Sequence, residues 1–527
     1  MFKLLAFKVT DHPQLGSIEF SLVDESERNN RLRPYTSVII GPNGTGKSFI
    51  LRTIADIFVQ LNDFRSTGQK EFSLPFGIHL RYKYQSSIYE IISNSLIFYD
   101  RKGQRRSFHF FKNRPIGFEV FSKDKIQFSP NYGYDISIND LAFPSRVIVS
   151  SLMLNDRFSY HNSSKDDFYQ YLGVRSTSSS SSTRSYARRT IANLFSSLSD
   201  TGFINKLKDL LTFLNFELSF KIHYKTKINK LFFSSELNEA NFKQYFENWW
   251  DSGFQFSNRK KDNPLWSVPY YKQHFKDNDK KTKEIIRFLN VLAKDEERLK
   301  TKGRSKYLEI DLLDKNLSRD SIDAIQHLEN LDIINLDGIR VKKADVDLSV
   351  NDISSGEYHL LISLIGMFAK MEHNSLILID EPEISLHPNW QMRYITFLKA
   401  VFKNFSSCHF IITTHSHFLV SDLEGDSSSI VALNKNDNSK LNACLLENKN
   451  TFGWSAEEVL YNVFNVKTTR NLFLEGELRE LLHKIATKAK DYTRMRLILK
   501  NLSSLQLPKN DPLNLIINKA EEYLNNK

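Results

Sequence analysis

Residues 41–48 read GPNGTGKS and match the phosphate-binding pattern G-x-x-x-x-G-K-[ST]. The apolar run TSVII at 36–40 precedes this stretch and predicts a short buried strand. The segment FILRTIADIFVQL at 49–61 follows it and has the apolar spacing of a helix. Because this pattern binds nucleotides when it lies between a strand and a helix, the sequence predicts a P-loop in an α/β fold.

The residue types of this loop suit a polyphosphate. Its glycines let the backbone wrap around phosphate groups, whose oxygens the loop N–H groups can reach. Lys47 supplies a cation for the β- and γ-phosphates, and the Ser48 hydroxyl can bind Mg²⁺. We therefore expect ATP and Mg²⁺ as cofactors. The candidate nucleotide-binding residues of the loop are Gly41, Pro42, Asn43, Gly44, Thr45, Gly46, Lys47 and Ser48.

A second motif lies at 375–388, SLILIDEPEISLHP. Its continuous apolar run is typical of a parallel strand that is buried on both faces, and the run ends on Asp380 and Glu381. Asp380 is expected to hold Mg²⁺ through a water, as a second anchor opposite Ser48. Glu381 is expected to polarise the attacking water as the catalytic base.

A third apolar run, HFIITTHS at 409–416, predicts a strand that delivers His415 at its carboxyl end. Ligands of open α/β sheets bind at the carboxyl ends of the strands. A lone histidine is usually structural, but an imidazole at this position can bond to the γ-phosphate. His415 is therefore the second candidate catalytic residue.

The stretch ISSGE at 353–357 precedes an apolar helix that we predict over 357–369. The free N–H groups and the positive end of a helix make such a start a good anion site. The residues alone leave open whose anion this site binds. Its candidate nucleotide-binding residues are Ser354, Ser355, Gly356 and Glu357.

The rest of the first half of the chain predicts a second sheet. Residues 2–9 and 17–23 read as paired strands. The short apolar runs from about 77 to 150, with RVIVSS among them, predict an antiparallel meander. In the predicted helix after the P-loop, one side is apolar and should face the core; it consists of Ile50, Ile54, Ile57, Phe58 and Leu61.

The middle of the chain, from 185 to 335, reads mostly as helices with the basic faces NRKKD, DKKTK and RLKTKGRSK. The Ser-rich stretch at 176–183 reads as a mobile loop. The alternative is a phosphate- or partner-binding loop that uses the flanking Arg175, Arg184, Arg188 and Arg189. Residues 331–350 predict a hairpin with an Asp-Gly turn, and the tail from 446 onward predicts helices broken by QLPKNDP.

Composition limits the class of protein and of partner. The formal net charge of +11 and the pI near 9.2 suit a polyanionic partner such as nucleic acid, although many basic proteins bind nothing acidic. The two cysteines form no disulfide framework and have no metal-ligand spacing, which favours a reducing, intracellular setting. We predict neither a signal peptide nor a membrane span, and we expect a cytoplasmic protein.

Together, GPNGTGKS, ISSGE, LILIDEPEISLHP and TTHSHF resemble the ABC-type ATPase heads of the SMC, RecF and OLD group. The Glu of ISSGE and the Leu-His-Pro after DEPE are similar to the OLD-like branch. The resemblance implies a mixed sheet with helices, an antiparallel β subdomain, a helical insertion and a helical C-terminal tail. The implied divisions are 1–155 and 336–445 for the halves of the ATPase head, 156–335 for the insertion and 446–527 for the tail.

The resemblance also answers the question that ISSGE raises. In such heads this stretch covers the γ-phosphate held by another copy, so two chains would sandwich two ATP molecules. Ser385 to His387 would form the D-loop that communicates across the dimer. One departure concerns the glutamine that usually follows the strand after the antiparallel subdomain. Here RVIVSSLML offers Ser150 and Ser151 instead, which puts metal coordination by that loop in doubt.

A narrower resemblance rests on YLGVRS at 171–176 and TFGWSAEEVLYNVFNV at 451–466. These stretches are similar to the ATPase subunits of Septu-type antiphage systems (PtuA-like), including those attached to retrons. In that family the ATPase partners a separate HNH nuclease. The resemblance implies a homodimer or higher assembly and a nuclease docked on the C-terminal tail. It leaves open a role for nucleic acid or for a retron reverse transcriptase–DNA complex.

Two alternatives stay open on the residues. The chain could be a RecF-like DNA-repair ATPase that binds duplex DNA through the basic segments at 259–306. It could also be an OLD-like or sensor ATPase that holds a toxic effector until a phage product triggers release. Many OLD proteins carry their own nuclease core, for which we find no convincing sequence after TTHS. We therefore expect an ATPase without intrinsic nuclease activity.

Overall fold

The computed structural model forms two compact units, Met1–Gly453 and Trp454–Lys527. Strands dominate the first unit around the P-loop and the strand-end motifs, and helices form the second unit in its described part. The structure describes the chain except residues 25–32, 68–73, 86, 94–95, 100–104, 109–117, 123–124, 127–141, 154, 161–166, 176–190, 192–193, 195–200, 227–229, 235–236, 252–266, 303–304, 315–316, 422, 436–439, 447–450, 465, 467–470, 506, 509–510 and 526–527.

The elements are numbered along the chain. The strands are β1 (Phe2–His12), β2 (Gly16–Ser21), β3 (Tyr35–Ile40), β4 (Gly77–Tyr84), β5 (Ser87–Ser93), β6 (Leu96–Tyr99), β7 (Arg105–Phe108), β8 (Phe118–Ser122), β9 (Lys125–Ile126), β10 (Val147–Ser151), β11 (Tyr169–Tyr171), β12 (Phe220–Thr226), β13 (Leu299–Lys302), β14 (Ser305–Asp311), β15 (Ile334–Lys343), β16 (Val346–Ser349), β17 (Leu376–Asp380), β18 (His409–Thr414), β19 (Ser428–Lys435) and β20 (Leu441–Leu445). The helices are α1 (Lys47–Thr67), α2 (Thr201–Phe213), α3 (Glu239–Asp251), α4 (Ser267–His274), α5 (Asp279–Leu292), α6 (Arg319–Asn330), α7 (Ser355–Lys370), α8 (Pro388–Val401), α9 (His417–Val420), α10 (Ala456–Asn462), α11 (Leu472–Ala486), α12 (Tyr492–Ser503) and α13 (Leu513–Asn525).

The central sheet has the strand order β11-β10-β17-β18-β3-β19-β20. Its strands pair in parallel except for the last pair, β19 and β20, which is antiparallel. All residues of β3, β17 and β18 are buried, as their continuous apolar runs predict. Because these three strands are neighbours, the chain segments that follow them meet at one edge of the sheet. The predicted α/β fold with a mixed sheet is confirmed.

One strand lies in a different sheet from the predicted one. RVIVSS was expected in the antiparallel meander, but β10 pairs in parallel with β17 and β11 in the central sheet. The pairing brings Ser151 beside Asp380. The apolar run Val147–Val149 is buried on both faces, which is typical of such a central strand rather than of a half-exposed meander.

The helix after the P-loop packs as its spacing predicts. Ile50, Ile54, Ile57, Phe58 and Leu61 are all fully buried. They pack in one hydrophobic core with residues of β1, β4 and the central strands. A second sheet, β2-β1-β4-β5-β8-β9, is antiparallel throughout and confirms the predicted pairing of the first two strands and of β4 with β5. The next apolar run of the predicted meander, LIFY, instead forms β6 and pairs with β7 in a separate two-stranded sheet.

The middle of the chain, from β12 to β16, contains an antiparallel sheet as well as helices. Its strand order is β13-β14-β12-β15-β16. The prediction of a basic helix at RLKTKGRSK was wrong, because Leu299–Lys302 pairs with Ser305–Asp311 as a hairpin. The alternation of buried and exposed residues along β12 fits a strand with one face on the core.

The hairpin predicted over 331–350 is present as β15 and β16, but its turn lies elsewhere. Ala344 and Asp345 both have positive φ, at 50° and 63°, and connect the two strands. Two consecutive residues with positive φ give the turn geometry that matches strand twist. The predicted turn residue Asp337 instead lies within β15, where the register against β12 shifts.

Several predictions concern the Ser-rich stretch and its arginines. Residues 176–183, Arg184, Arg188 and Arg189 lie outside the described residues, as does NRKKD. Arg175 is described, and its guanidinium binds the buried Asp156 carboxylate instead of facing solvent. The Arg175 guanidinium is therefore already paired, and the alternative of a phosphate- or partner-binding loop stays a prediction for the remaining residues of this stretch.

The second unit is helical, as the sequence of the tail predicts. Residues of α11, α12 and α13 share a core around Leu481, Met495, Leu502 and Ile517. The segment QLPKNDP falls between α12 and α13. Within the described part of the whole chain, none of the helices has the length and apolar character needed to cross a bilayer.

Candidate functional site

The P-loop joins β3 to α1, and its glycines are required by backbone shape and by close approach. Gly44 and Gly46 have φ of +75° and +80°, a backbone conformation that residues with a side chain rarely adopt. A Cβ on Gly46 would lie 2.8 Å from Leu15, and one on Gly41 would lie 2.7 Å from the Leu433 carbonyl. The glycine pattern of this loop is therefore a packing requirement of this fold.

Lys47 is the first residue of α1, and its amine turns back over the loop. Nζ donates to the carbonyl of Gly41 at 2.9 Å and to that of Pro42 at 3.3 Å. It also lies 2.6 Å from Nε2 of His415. Burial lowers the pKa of Lys47 to about 8, against the opposing charges of Glu381 and Asp380. The amine is thus held between the loop and the strand ends.

Asp380 ends β17 and faces the start of α1. The Ser48 hydroxyl donates to its Oδ1 at 3.1 Å, and the Thr413 hydroxyl donates to the same atom at 2.5 Å. Burial raises the pKa of Asp380 to about 6. Among the described residues its Oδ2 has no hydrogen-bond partner, although it is buried. A buried carboxylate oxygen beside a serine hydroxyl fits the oxygen ligands that Mg²⁺ prefers.

Glu381 follows Asp380 in a left-handed conformation, with φ of +48°. Non-glycine residues adopt this region rarely, and functional sites are enriched in them. Its Oε1 lies 3.4 Å from Nε2 of His415, the atom that also meets Lys47. The neighbouring His415 imidazole, and then the Lys47 charge, hold the pKa of Glu381 below its usual value. One imidazole nitrogen is thus shared between an amine and a carboxylate.

Glu383 was missed by the sequence analysis and proves to support this group. Its Oε1 accepts the backbone N–H of His415 and the Thr414 hydroxyl, both at 2.7 Å. Burial raises the pKa of Glu383. The sequence signal that could have identified it is the second glutamate of DEPE, two residues after the predicted base.

One cavity of about 970 Å³ is lined by Lys47, Ser48, Asp380, Glu381 and His415, but not by Glu383. The P-loop, Asp380, Glu381 and His415 form one part of its wall. The β1–β2 turn, the loop after β10 and the β19–β20 hairpin form the rest. The residues lining it from these three segments, which sequence reasoning did not identify, are Gln14, Leu15, Gly16, Ser17, Met153, Asn155, Asp156, Arg157, Lys435, Lys440 and Leu441.

ISSGE begins α7 and is not part of the lining of this cavity in the described structure. The Ser354 hydroxyl caps the helix by accepting the Glu357 N–H at 3.3 Å, and it donates to the Glu357 carboxylate at 2.8 Å. Lys343 pairs with that carboxylate at 2.7 Å. Ser354 and Ser355 are exposed, whereas Gly356 and Glu357 are buried.

Gly356 makes a close approach to the loop after β17. A Cβ at this position would lie 2.5 Å from the carbonyl oxygen of Ser385. Ser385 itself has φ of +65°, and His387 caps α8 by accepting the Asn389 N–H. The start of α7 and the loop between β17 and α8 are therefore packed backbone against backbone.

Residues 26–420 match the AAA ATPase domain family of the AAA_15 type. The chain belongs to this family. The match spans the P-loop, ISSGE, the β17 motif and His415, so the P-loop and strand-end residues at the cavity belong to an AAA ATPase domain. The chain thus contains an AAA ATPase domain, in agreement with the ATPase that the sequence motifs predict.

Two curated relatives match shorter parts of this AAA ATPase chain. The Retron Ec83 probable ATPase of Escherichia coli is 38% identical over 88 residues, which cover 14% of this chain and 16% of the relative. The Septu protein PtuA of Bacillus thuringiensis is 30% identical over 114 residues, which cover 21% of this chain and 28% of the relative. The chain thus spans less than a third of the length of either relative. The resemblance to PtuA-like and retron-attached ATPases is confirmed.

Solved SMC head domains also align with the AAA ATPase chain. The Smc head of Pyrococcus furiosus, crystallised with an extended coiled coil and the C-terminal domain of ScpA, has a TM-score of 0.30 and 12% identity. That alignment covers 85% of this chain and 96% of the head. The SMC head domain from Thermotoga maritima gives a TM-score of 0.27 and 10% identity over 84% and 98% of the two chains.

Proposed function

We propose that this ATPase is the regulatory subunit of an antiphage defence complex, that it dimerises around ATP, and that it controls a partner nuclease of the HNH type. The observation that carries the catalytic part is the convergence of Lys47, Ser48, Asp380, Glu381 and His415 on one cavity. The similarity to a retron ATPase and to PtuA supports the assignment to defence.

The proposed roles follow from the contacts. Lys47 leaves the loop carbonyls and binds the β- and γ-phosphates, while the loop N–H groups bind the β-phosphate. Ser48 and Asp380 would hold Mg²⁺, which would neutralise charge on the phosphates. Glu381 accepts a proton from the attacking water, and His415 contacts the γ-phosphate. Glu383 keeps His415 in place through its backbone N–H.

The proposed dimer follows from the position of ISSGE. Ser354 and Ser355 are exposed at the start of a helix that is otherwise almost entirely buried, and neither lines the cavity of its own chain. The positive helix end and the exposed Ser354 and Ser355 are therefore accessible to the triphosphate of a second copy, whereas the Glu357 N–H is already bonded to the Ser354 hydroxyl. Gly356 and Glu357 position this helix start, through Ser385 and Lys343 respectively.

The proposed nuclease-docking region is the helical unit Trp454–Lys527. Phe473 and Leu515 of this unit are 72% and 66% exposed. Large exposed apolar side chains are enriched at protein interfaces. A defence complex would use such a region to hold its effector.

Three measurements on the purified chain test this function. We expect ATP hydrolysis that Lys47→Ala abolishes, ATP-dependent dimerisation in size-exclusion chromatography with light scattering, and no DNA cleavage by the chain alone. Co-expression with the product of the neighbouring gene should yield a complex with nuclease activity. If the isolated chain instead bound duplex DNA with a salt-dependent affinity and needed no partner for its activity, a DNA-repair ATPase would be favoured.

A further inference from the structure

The segment YLGVRS at 171–176 has no role in the proposed function so far, yet it reaches the wall of the nucleotide cavity. Tyr171 ends β11, the edge strand that pairs with β10. The loop that follows β10 contributes Asn155, Asp156 and Arg157 to the cavity lining. Side chains of the YLGVRS segment bind this loop at Asp156.

The Asp156 carboxylate is fully buried, and four donors reach it. Arg175 binds it with both arms of the guanidinium, at 2.7 Å from Nη2 to Oδ1 and 3.1 Å from Nε to Oδ2. The Tyr171 hydroxyl donates to Oδ2 at 2.5 Å, and the Phe158 N–H donates to Oδ1 at 3.1 Å. A bidentate arginine–carboxylate pair of this kind fixes both the position and the orientation of the carboxylate. We call this group the Asp156 clamp.

Gly173 is shaped for the same contact. A Cβ at this position would lie 2.1 Å from the Tyr171 hydroxyl oxygen and would also contact the ring. The glycine therefore lets the tyrosine ring fold back over its own chain, toward Asp156. Tyr171, Gly173 and Arg175 all serve one buried carboxylate, which explains the spacing of this segment.

Arg157, the next residue after the clamped aspartate, is exposed and lines the cavity. Its guanidinium lies 5.5 Å from the ring centroid of Phe49, which follows Ser48 in α1 and lines the same cavity. In the part of the chain that the structure describes, no carboxylate pairs with Arg157. The clamp thus presents an uncompensated guanidinium beside the metal-binding end of the P-loop.

We propose that Arg157 is a nucleotide-binding residue that contacts the phosphates of ATP, and that Tyr171 and Arg175 position it through the Asp156 clamp. This inference rests on the proposed function, because it assumes that ATP occupies the cavity. A planar guanidinium with several donors suits phosphate oxygens. Arg157 adds a cation from the β10 side, whereas Lys47 approaches from the opposite, β18 side through its contact with His415.

The first test measures ATP affinity by isothermal titration calorimetry in the Glu381→Gln background, in which hydrolysis is slow. Arg157→Ala should weaken ATP binding about tenfold to a hundredfold, as expected for the loss of a hydrogen bond to a charged group. Arg157→Lys should weaken ATP binding less than Arg157→Ala does. The control is Arg52→Ala on the same helix as Phe49, since Arg52 pairs with Asp56 and does not line the cavity.

The outcomes separate this inference from the function on which it rests. Loss of binding in Lys47→Ala together with full affinity in Arg157→Ala would overturn the role of Arg157 and leave the proposed function standing. An unmodified chain that binds no ATP would overturn the proposed function itself.

The second test is a double-mutant cycle with Tyr171→Phe, which removes one hydroxyl and keeps the ring. If Tyr171 positions Arg157, Tyr171→Phe should weaken ATP binding in the normal chain and should have no further effect when Arg157 is already alanine. An equal effect in both backgrounds would show a general structural role and would overturn the positioning claim. Arg175→Lys keeps the charge but loses the bidentate hydrogen bonding. Its effect on ATP binding in the two backgrounds should match that of Tyr171→Phe.

Discussion

The amine of Lys47 lies 2.6 Å from Nε2 of His415, so the P-loop lysine and the strand-end histidine are in direct contact across 368 residues of chain. The same nitrogen of His415 lies 3.4 Å from the Glu381 carboxylate. The candidate cation, sensor and base are therefore already assembled. In the proposed bound state, Lys47 exchanges its contacts with the carbonyl oxygens of Gly41 and Pro42 for contacts with phosphate oxygens.

His415→Ala should lower the turnover number far more than it lowers ATP affinity. The imidazole would act on charge that develops in the transition state, and removal of one such donor lowers turnover roughly a hundredfold. Steady-state hydrolysis and calorimetric ATP binding measure the two quantities separately. His417→Ala is the matched control, because His417 follows the same strand but does not line the cavity. Equal effects of the two variants would contradict the role given to His415.

Glu381→Gln and Glu383→Gln should differ although both remove a carboxylate. The first removes the base and should slow hydrolysis by roughly a hundredfold or more while ATP stays bound. The second keeps a carbonyl that can still accept the His415 N–H, so its effect should be smaller. Single-turnover hydrolysis distinguishes them. If Glu383→Gln proved the slower enzyme, Glu383 and not Glu381 would be the base.

The sequence motifs were enough to predict the central parallel strands and the residues at their ends. Each apolar run ends on its functional residue, and parallel strands bring such ends to one edge. For this reason Ser48, Asp380 and His415 could be placed together without coordinates. The capping contact of Ser354 could also have been predicted from the Ser-x-x-Glu spacing, but the family resemblance favoured a role in phosphate binding instead.

Other features could not be predicted because they depend on pairing between distant segments. RVIVSS has the same apolar character in a meander and in a central sheet, and only its partner β17 decides between the two. Arg175 looked like a surface cation of a Ser-rich stretch, since nothing nearby in sequence marks Asp156 as its partner. Glycine at 356 could serve an anion or a close approach, and the Ser385 carbonyl reveals the second requirement.

Gly356→Ala should destabilise the protein by about 1–3 kcal/mol, because the new methyl group would meet the Ser385 carbonyl at 2.5 Å. The displaced loop leads from Glu381 into α8, so turnover should fall as well. Thermal unfolding and hydrolysis measure both effects. Gly476→Ala in α11 is the control of opposite sign: nothing lies within 4 Å of its Cβ position, and alanine should stabilise that helix by about 0.5–1 kcal/mol.

His409 should make the first unit sensitive to mild acid. Complete burial lowers the pKa of His409 to about 3 from 6.5, and the ring accepts the Leu4 N–H at 3.1 Å through Nδ1. Above pH 6.5 the histidine is neutral in both states and imposes no penalty. As the pH falls further, the unfolded chain gains a proton that the folded protein resists, which lowers the free energy of unfolding by about 2 kcal/mol at pH 5.

Urea unfolding of the normal chain and of His409→Asn, each measured between pH 7 and pH 5, tests this effect. Asparagine keeps a hydrogen-bond acceptor and does not titrate. The variant should therefore lose stability at pH 7 but show a shallower pH dependence than the normal chain. The same slope in both proteins would mean that other groups, such as the half-buried His12 and His223, account for the acid sensitivity.

The most direct test of the central claim mixes two inactive chains. In one, Lys47→Ala disables the P-loop; in the other, Ser355→Glu places a negative charge at the exposed start of α7, where helices tolerate acids. If two copies share each ATP, one pocket of the mixed dimer combines an intact P-loop with an intact ISSGE, and the mixture should hydrolyse ATP although neither chain does so alone. Ser355→Gln, which adds no charge, should stay largely active by itself. A mixture that shows no more hydrolysis than its separate components would contradict the shared pocket.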